Sequence, residues 1–206
     1  MATAPVRILE SARDLFLEEG LSGVSMRKVA ARVGLTAPAI YRHFRSKDEL
    51  LSAVMAEGFR IFGTYLYDSL SGNTPEERLR SSGLGYVNFA LEQPKYYEII
   101  FVLPCAPMVE TESLTHSKAG NATFQFITDR VRECMQASIL KPGDPESVAT
   151  AIWAHSHGLV TLYLSGRLGM EEAEFRELFF NSFDHLMQGI GNQKVNTVNL
   201  SEGAAV

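Results

Sequence analysis

The sequence has little cysteine, no secretory leader pattern and no long apolar run. Cys105 and Cys134 are the two cysteines in 206 residues, and they match no metal-binding or redox spacing. We therefore exclude a disulfide-stapled secreted domain and expect free thiols in a reducing cytoplasm. Residues 1–5 contain no basic stretch that leads into an apolar one. No apolar stretch reaches the roughly 18 residues of a membrane span, so we expect a cytoplasmic protein with no membrane partner.

Catalytic patterns are missing as well. There is no Ser/His/Asp arrangement and no phosphate-cradling glycine loop, and the one close pair of metal-ligating residues is His155 and His157. Two residues apart on a helix, these side chains project about 200° from each other and cannot easily share a metal ion. We expect no enzyme activity, no metal site and no cofactor.

Acidic residues are absent from one segment of an otherwise acidic chain. The net charge is −5, yet the segment from Arg27 to Lys47 holds six Lys or Arg and no Asp or Glu. Residues 51–206 carry 11 basic and 18 acidic residues, a net charge of −7. Phosphate binding depends on local potential, because distant charges are screened. A basic stretch on an acidic body indicates a DNA-binding module, and the alternative is a solvated helix face.

Helical periodicity replaces strand alternation throughout the chain. A first helix ends at Gly20, and Ser25 is a plausible N-cap for the second. Gly34 ends that helix with a tight turn, and a third short helix is predicted over 37–44. Ser46 opens a long fourth helix that reaches about residue 70. Further helices are predicted near 75–92, 94–103, 117–140, 144–165 and 171–190, with a loop at 104–116 and a disordered tail at 192–206.

The segment 25–44 has the pattern of a helix-turn-helix, with two short amphipathic helices joined by a tight turn. In this motif the second helix enters the major groove and its N-terminal residues meet base edges. We expect the groove to receive the start of the third helix, formed by Thr36, Ala37, Pro38 and Ala39. Tyr41, Arg42 and His43 follow where side chains reach phosphates or base edges. Lys47 begins the next helix, where its ammonium and the helix N–H groups would hold a phosphate.

Residues 4–64 resemble the DNA-binding domain of the TetR family of bacterial transcriptional regulators. The resemblance is carried by Ile8, Ala12, Leu15, Phe16, Gly20, Val29, Ala30, Val33, Gly34 and Leu35, then by the runs 40–44 and 46–50. It implies an all-α homodimer of about nine helices, with an N-terminal three-helix helix-turn-helix domain (motif about 27–46) and a C-terminal helical bundle. The DNA contacts that it transfers are Ser25, Arg27, Thr36, Tyr41, His43 and Lys47. The chain departs from the family at residues 36–39, where many relatives place glycine or a basic residue.

The second domain is expected over 65–191 and is predicted to bind a small molecule. Its run from Trp153 through His157 to Val160 resembles a Trp-His-Gly signature of one branch of the family, although the two residues would serve equally as a packed core pair. Apolar pockets with few polar groups suit hydrophobic or aromatic ligands. The predicted lining residues are Phe59, Phe62, Leu66, Tyr97, Phe101, Phe124, Ile127, Trp153 and His157.

The last helix carries more aromatic surface than one side of a core requires. We expect it to pair with helix 144–165 and their symmetry mates in a four-helix dimer interface. The alternative is a core wholly inside one chain. The predicted interface residues are Phe175, Leu178, Phe179, Phe183, Leu186 and Ile190.

These patterns predict a sequence-specific transcriptional regulator that binds a double-stranded operator as a homodimer, on the nucleoid when bound. Most family members are repressors that a small effector releases, and we expect the same here. The alternative is a helical ligand-binding or interaction module without DNA binding. The basic segment favours the regulator.

Overall fold

A computed structural model describes residues 3–102 and 118–191. The predicted all-α fold is confirmed across these ranges, whose one β-type pairing is an isolated bridge between Leu140 and Gly191. The predicted tail at 192–206 and the predicted loop at 104–116 both lie outside the described residues. The helices are α1 Ala4–Gly23, α2 Met26–Val33, α3 Ala37–Tyr41, α4 Lys47–Tyr67, α5 Pro75–Glu92, α6 Pro94–Tyr97, α7 Lys118–Gln136, α8 Pro145–Leu164 and α9 Glu172–Ile190.

Helices α1 to α3 and the start of α4 share one core. Gly20 interrupts α1 with a φ of 71°, and Gly34 caps α2 with a φ of 70°, a region that glycine adopts without steric cost. The guanidinium of Arg7 donates to the Val33 carbonyl at 2.6 Å and ties the two helices together. The buried apolar residues that form this core include Ile8, Ala12, Leu15, Met26, Val29, Val33, Ile40 and Leu50.

Helix α3 is shorter than predicted. The expected helix over 37–44 ends at Tyr41, because the amides of His43 and Phe44 both donate to the Ile40 carbonyl, at 2.8 and 3.0 Å. This tightening turns Phe44 into the core, where 8% of it remains exposed. The prediction that Ala39 enters the groove is wrong, since Ala39 is buried against its own domain.

Helix α4 continues from this domain into the larger one and crosses α5 at close range. The crossing needs Gly85, since a Cβ there would lie 2.4 Å from the Tyr65 carbonyl oxygen. α5 also contacts α7 and α8. α4 is thus shared by the helix-turn-helix and the larger bundle.

Three of the six residues predicted for the dimer interface are buried within a single chain. Phe175, Phe179 and Phe183 are at most 1% exposed within a single chain. Phe175 stacks on Tyr163 of α8 with ring centroids 4.1 Å apart. These rings therefore pack within the chain. Leu178, Leu186 and Ile190 are half-buried.

Candidate DNA interface and ligand cavity

One side of the helix-turn-helix is exposed and polar. Tyr41 is 52% exposed, and Thr36, Arg42 and His43 are exposed beside it. The Thr36 hydroxyl makes no capping hydrogen bond, which leaves it available to a ligand. The Ser25 hydroxyl, by contrast, accepts from the Lys28 amide at 3.2 Å and caps α2. The remaining predicted contact on α3, Ala37, is half-buried at its first turn.

The six cations of the basic segment fall into three groups: two that pair with α1, three without an ion pair among the described residues, and Lys47. Lys28 and Arg32 are paired with Glu19 and Glu18 on α1. The exposed side chains of Arg27, Arg42 and Arg45 form no ion pair within residues 3–102 and 118–191.

Lys47 has a different environment from the one predicted. Its half-buried side chain donates to the Leu21 carbonyl, which lies near the end of α1. The ammonium therefore ties α4 to α1. Two of its three hydrogens remain for other acceptors.

A cavity of about 150 Å³ lies among helices α4, α5, α7 and α8. Phe101 is its centre: this ring lies 5.5 Å from Phe62, 5.7 Å from Tyr86 and 6.2 Å from Trp153. Phe101 belongs to a π-helical turn, Glu98–Val102, a wide turn that is common at functional sites. The lining residues are Phe59, Phe62, Tyr86, Ile100, Phe101, Gly120, Thr123, Phe124, Ile127, Trp153 and His157.

Seven of the nine residues predicted for the pocket line this cavity, and two do not. Leu66 lines a neighbouring recess of about 300 Å³ between α4 and α7. Tyr97 is 1% exposed and lies behind the wall. Four lining residues were missed: Tyr86, Ile100, Gly120 and Thr123. The spacing of Tyr86 and Ile100 is that of ordinary core residues. The adjacency of Ile100 to Phe101 in an apolar run was the one available signal.

Three side chains from three helices meet at one side of the cavity wall. Nδ1 of His157 lies 2.9 Å from the Tyr97 hydroxyl and 3.1 Å from the Tyr86 hydroxyl. The Tyr97 hydroxyl is also 3.3 Å from the Thr161 hydroxyl. Burial lowers the pKa of His157 and raises the pKa of Tyr86 well above its ordinary value. The imidazole and the phenols are therefore uncharged near pH 7.

Helix α6 contacts the helix-turn-helix domain as well as the residues that form the cavity wall. Nζ of Lys95 lies 2.9 Å from Asp14 Oδ1 on α1, and the Arg13 guanidinium lies 5.0 Å from the centre of the Tyr96 ring. Burial of Asp14 raises the pKa of its carboxyl, but hydrogen bonds from Lys95 and Arg13 outweigh burial and hold that pKa below its ordinary value. We call these four residues the α1–α6 dock. Tyr96 in the dock is the chain neighbour of Tyr97 behind the cavity.

The remaining special residues carry no comparable geometry. Cys134 is a free, buried thiol whose pKa burial raises to about 11; Cys105 lies outside the described residues. Within residues 3–102 and 118–191 no cluster of three or more His, Cys, Asp or Glu is arranged to hold a metal ion. No helix in the same ranges is long and apolar enough to span a bilayer.

Two family models match the chain. The model of bacterial regulatory proteins of the tetR family matches residues 8–54. The model of the tetracycline repressor-like C-terminal domain matches residues 79–187, which is more than half of the chain.

Individual relatives agree with these matches. The HTH-type transcriptional regulator YobS of Bacillus subtilis is 22% identical over 180 residues, covering 84% of this chain and 86% of that protein. The class A tetracycline repressor from transposon 1721 of Escherichia coli is 44% identical over 50 residues, 24% of this chain and 23% of that protein. A tetR-family regulatory protein from Rhodococcus RHA1 superposes with a TM-score of 0.70 at 18% identity, covering 93% of this chain and 98% of that one.

Proposed function

This chain belongs to the TetR family of DNA-binding transcriptional regulators, and from that premise we propose that it is an operator-bound repressor released by a small apolar effector. The observation that carries the proposal is that α4 belongs to the helix-turn-helix domain at its start and to the cavity wall further along. This helix starts at the helix-turn-helix and, about three to four turns on, supplies Phe59 and Phe62 to the cavity wall. Occupation of the cavity would thus act on an element that is shared with the DNA-binding domain.

The proposed DNA interface is the exposed side of α3 and the cations around it. Thr36, Tyr41 and His43 would meet base edges or phosphates, and the unpaired arginines Arg27 and Arg42 would neutralise phosphates. The other side of α3 is buried, which fixes the orientation of the exposed one. Ser25 and Lys47 would contribute through the start of α2 and of α4, where backbone N–H groups also favour phosphate.

The α1–α6 dock offers a second route between the two domains. Tyr97 holds His157 behind the cavity, and its neighbour Tyr96 lies under Arg13 of α1. A ligand that shifts α6 would therefore shift α1 as well as α4. We propose that effector binding favours a dimer whose recognition helices no longer match successive major grooves, about 34–36 Å apart.

The proposed dimer interface uses α8 and the outer face of α9. No residue from Ser147 to Ser165 is charged, although Ala154 and Leu162 are exposed and His155 and Gly158 are half-buried. An exposed helix face without charge is rare unless a partner covers it. Nε2 of His155 is buried and has no hydrogen-bond partner among the described residues, which also favours a partner at this face.

We predict that Ala154→Glu converts the dimer into a monomer. The new carboxylate would be buried without a cation in the interface, and since this happens in both copies the dimer dissociation constant should rise more than a hundred-fold. Light scattering at micromolar concentration measures the change against the 22.8 kDa chain. Asn121→Glu on the exposed side of α7 adds the same charge and should leave the dimer intact. An intact Ala154→Glu dimer would place the interface elsewhere.

A gel shift on the promoter upstream of the protein's own gene tests the proposed function. We expect retardation that weakens steeply as salt rises, because cations on the protein displace counterions from phosphate. A helical ligand-binding module without a DNA role would bind no duplex at any salt concentration. That result would refute the proposal.

A further inference from the structure

The cavity wall contains a histidine ring nitrogen that no described residue engages. His157 lines the cavity, and its Nδ1 is engaged by the hydroxyls of Tyr97 and Tyr86. Its Nε2 forms no hydrogen bond with any residue that the structure describes. With Nδ1 held by the two hydroxyls, Nε2 is the ring nitrogen that a ligand in the cavity would meet.

The rest of the lining excludes charged ligands. Among the residues that the structure describes, no Lys, Arg, Asp or Glu lies on the wall, and burial keeps His157 and Tyr86 in their uncharged forms. A carboxylate or ammonium inside would be desolvated without a counter-ion, which is far more costly than burying a hydroxyl that finds a hydrogen bond. The wall thus selects a neutral molecule.

The size and shape of the space limit the molecule further. A dry protein cavity of about 150 Å³ is known to hold benzene, and this cavity has about the same volume. Phe59, Phe62 and Trp153 supply ring edges and faces, and aromatic pairs gain more than their buried area alone provides. One aromatic ring with a small substituent fits these walls.

We propose that the effector is a small uncharged phenol whose ring fills the cavity and whose hydroxyl hydrogen-bonds to Nε2 of His157. A hydroxyl both donates and accepts, so it suits either tautomer of the imidazole. The inference rests on the proposed function in one respect, since it assigns the ligand of the cavity that would control DNA release. Ligand binding itself does not depend on that control.

Trp153 makes the inference measurable without DNA. It is the single tryptophan of the chain and it lines the cavity, so its fluorescence reports occupancy directly. The full-length protein is titrated with phenol, toluene and benzoate, with excitation at the red edge of the indole band. Phenol should bind about ten-fold more tightly than toluene, in line with one added hydrogen bond. Benzoate should give no saturable signal.

Substitutions at His157 test the hydrogen bond. His157→Leu should remove the preference for phenol over toluene and leave toluene binding within about three-fold of wild type. Because this change deprives two buried tyrosines of their partner, His157→Asn is measured alongside it: asparagine keeps a polar atom near the Nδ1 position and deletes Nε2. Tyr67→Phe removes a hydroxyl from a residue that is 65% exposed and should leave the preference unchanged.

Three results would overturn the inference: toluene binding as tightly as phenol, benzoate binding as tightly as phenol, or no response of Trp153 to any of the three compounds. The gel shift decides the proposed function separately. Phenol binding without release of DNA would uphold the ligand assignment and refute effector control. Salt-sensitive DNA binding without phenol binding would refute the ligand assignment and uphold the DNA-binding role.

Discussion

Replacing Arg27, Arg42 and Arg45 together by glutamine will abolish operator binding at physiological salt and leave the protein folded and dimeric. These side chains are exposed and form no ion pair with any residue that the structure describes, so their removal disturbs no internal contact. Each lost phosphate contact reduces the slope of log K against log salt by about 0.9. Three arginines in each of two protomers should therefore make the slope shallower by about five, and affinity should fall more than a hundred-fold near 150 mM salt.

The measurement is a fluorescence-anisotropy titration of the operator at several salt concentrations. Arg167→Gln is the matched control, because Arg167 is an exposed arginine after α8 and its loss changes the net charge without touching the helix-turn-helix. Unchanged affinity in the triple variant would remove these arginines from the interface. A uniform loss of affinity with an unchanged slope would indicate misfolding, which the light-scattering mass and the unfolding midpoint would reveal.

Lys47 is a poorer probe of the same interface. Its ammonium donates to the Leu21 carbonyl, so Lys47→Ala removes a tie between α1 and α4 as well as a charge. A loss of DNA binding in that variant would have two explanations. A loss of DNA binding in the variant that lacks the three unpaired arginines would have one explanation, the loss of charge.

Local signals are sufficient to predict the helix-turn-helix. Ser25 accepts the amide of Lys28, and Gly34 adopts the positive φ that its place in the turn demands. Both effects depend on neighbours within four residues, and therefore they can be read from sequence. The early end of α3 cannot be read from sequence, because it depends on how deeply Phe44 is buried in the tertiary core.

The larger domain shows why the rest could not be predicted. A helix stripe containing Phe175, Phe179 and Phe183 is equally compatible with an intramolecular core and with a partner surface, since both are apolar. Periodicity also cannot bring together residues that are far apart in sequence. Tyr86 and His157 lie 71 positions apart, and Asp14 and Lys95 lie 81 apart. The polar geometry of the cavity and the α1–α6 dock therefore needed the structure.

Removing the cations of the α1–α6 dock, with Arg13→Ala and Lys95→Ala together, will leave a protein that binds ligand and operator but no longer responds to ligand. The dock consists of two partly exposed ion pairs, of Asp14 with Lys95 and with Arg13, and of a cation–π contact. Each contributes about 1 kcal/mol or less to stability. A domain with about 5–15 kcal/mol of stability tolerates that loss. Coupling between domains is of similar size, about 1–3 kcal/mol, or 5- to 150-fold in affinity. A small structural loss can therefore eliminate most of the coupling.

The decisive quantity is the ratio of operator affinities with and without ligand, taken with phenol or with another ring compound that releases the wild-type protein. This ratio should fall below about three in the double variant, while Trp153 fluorescence reports ligand affinity within about two-fold of wild type. Arg80→Ala breaks a comparable exposed ion pair between α5 and α9, with Asp184, and should keep the wild-type ratio. If ligand still fully releases the double variant from the operator, α4 alone carries the signal, because this helix still connects Phe59 and Phe62 in the cavity wall to the helix-turn-helix. If it fails to bind operator even without ligand, the dock orients α1 for DNA binding rather than transmitting occupancy.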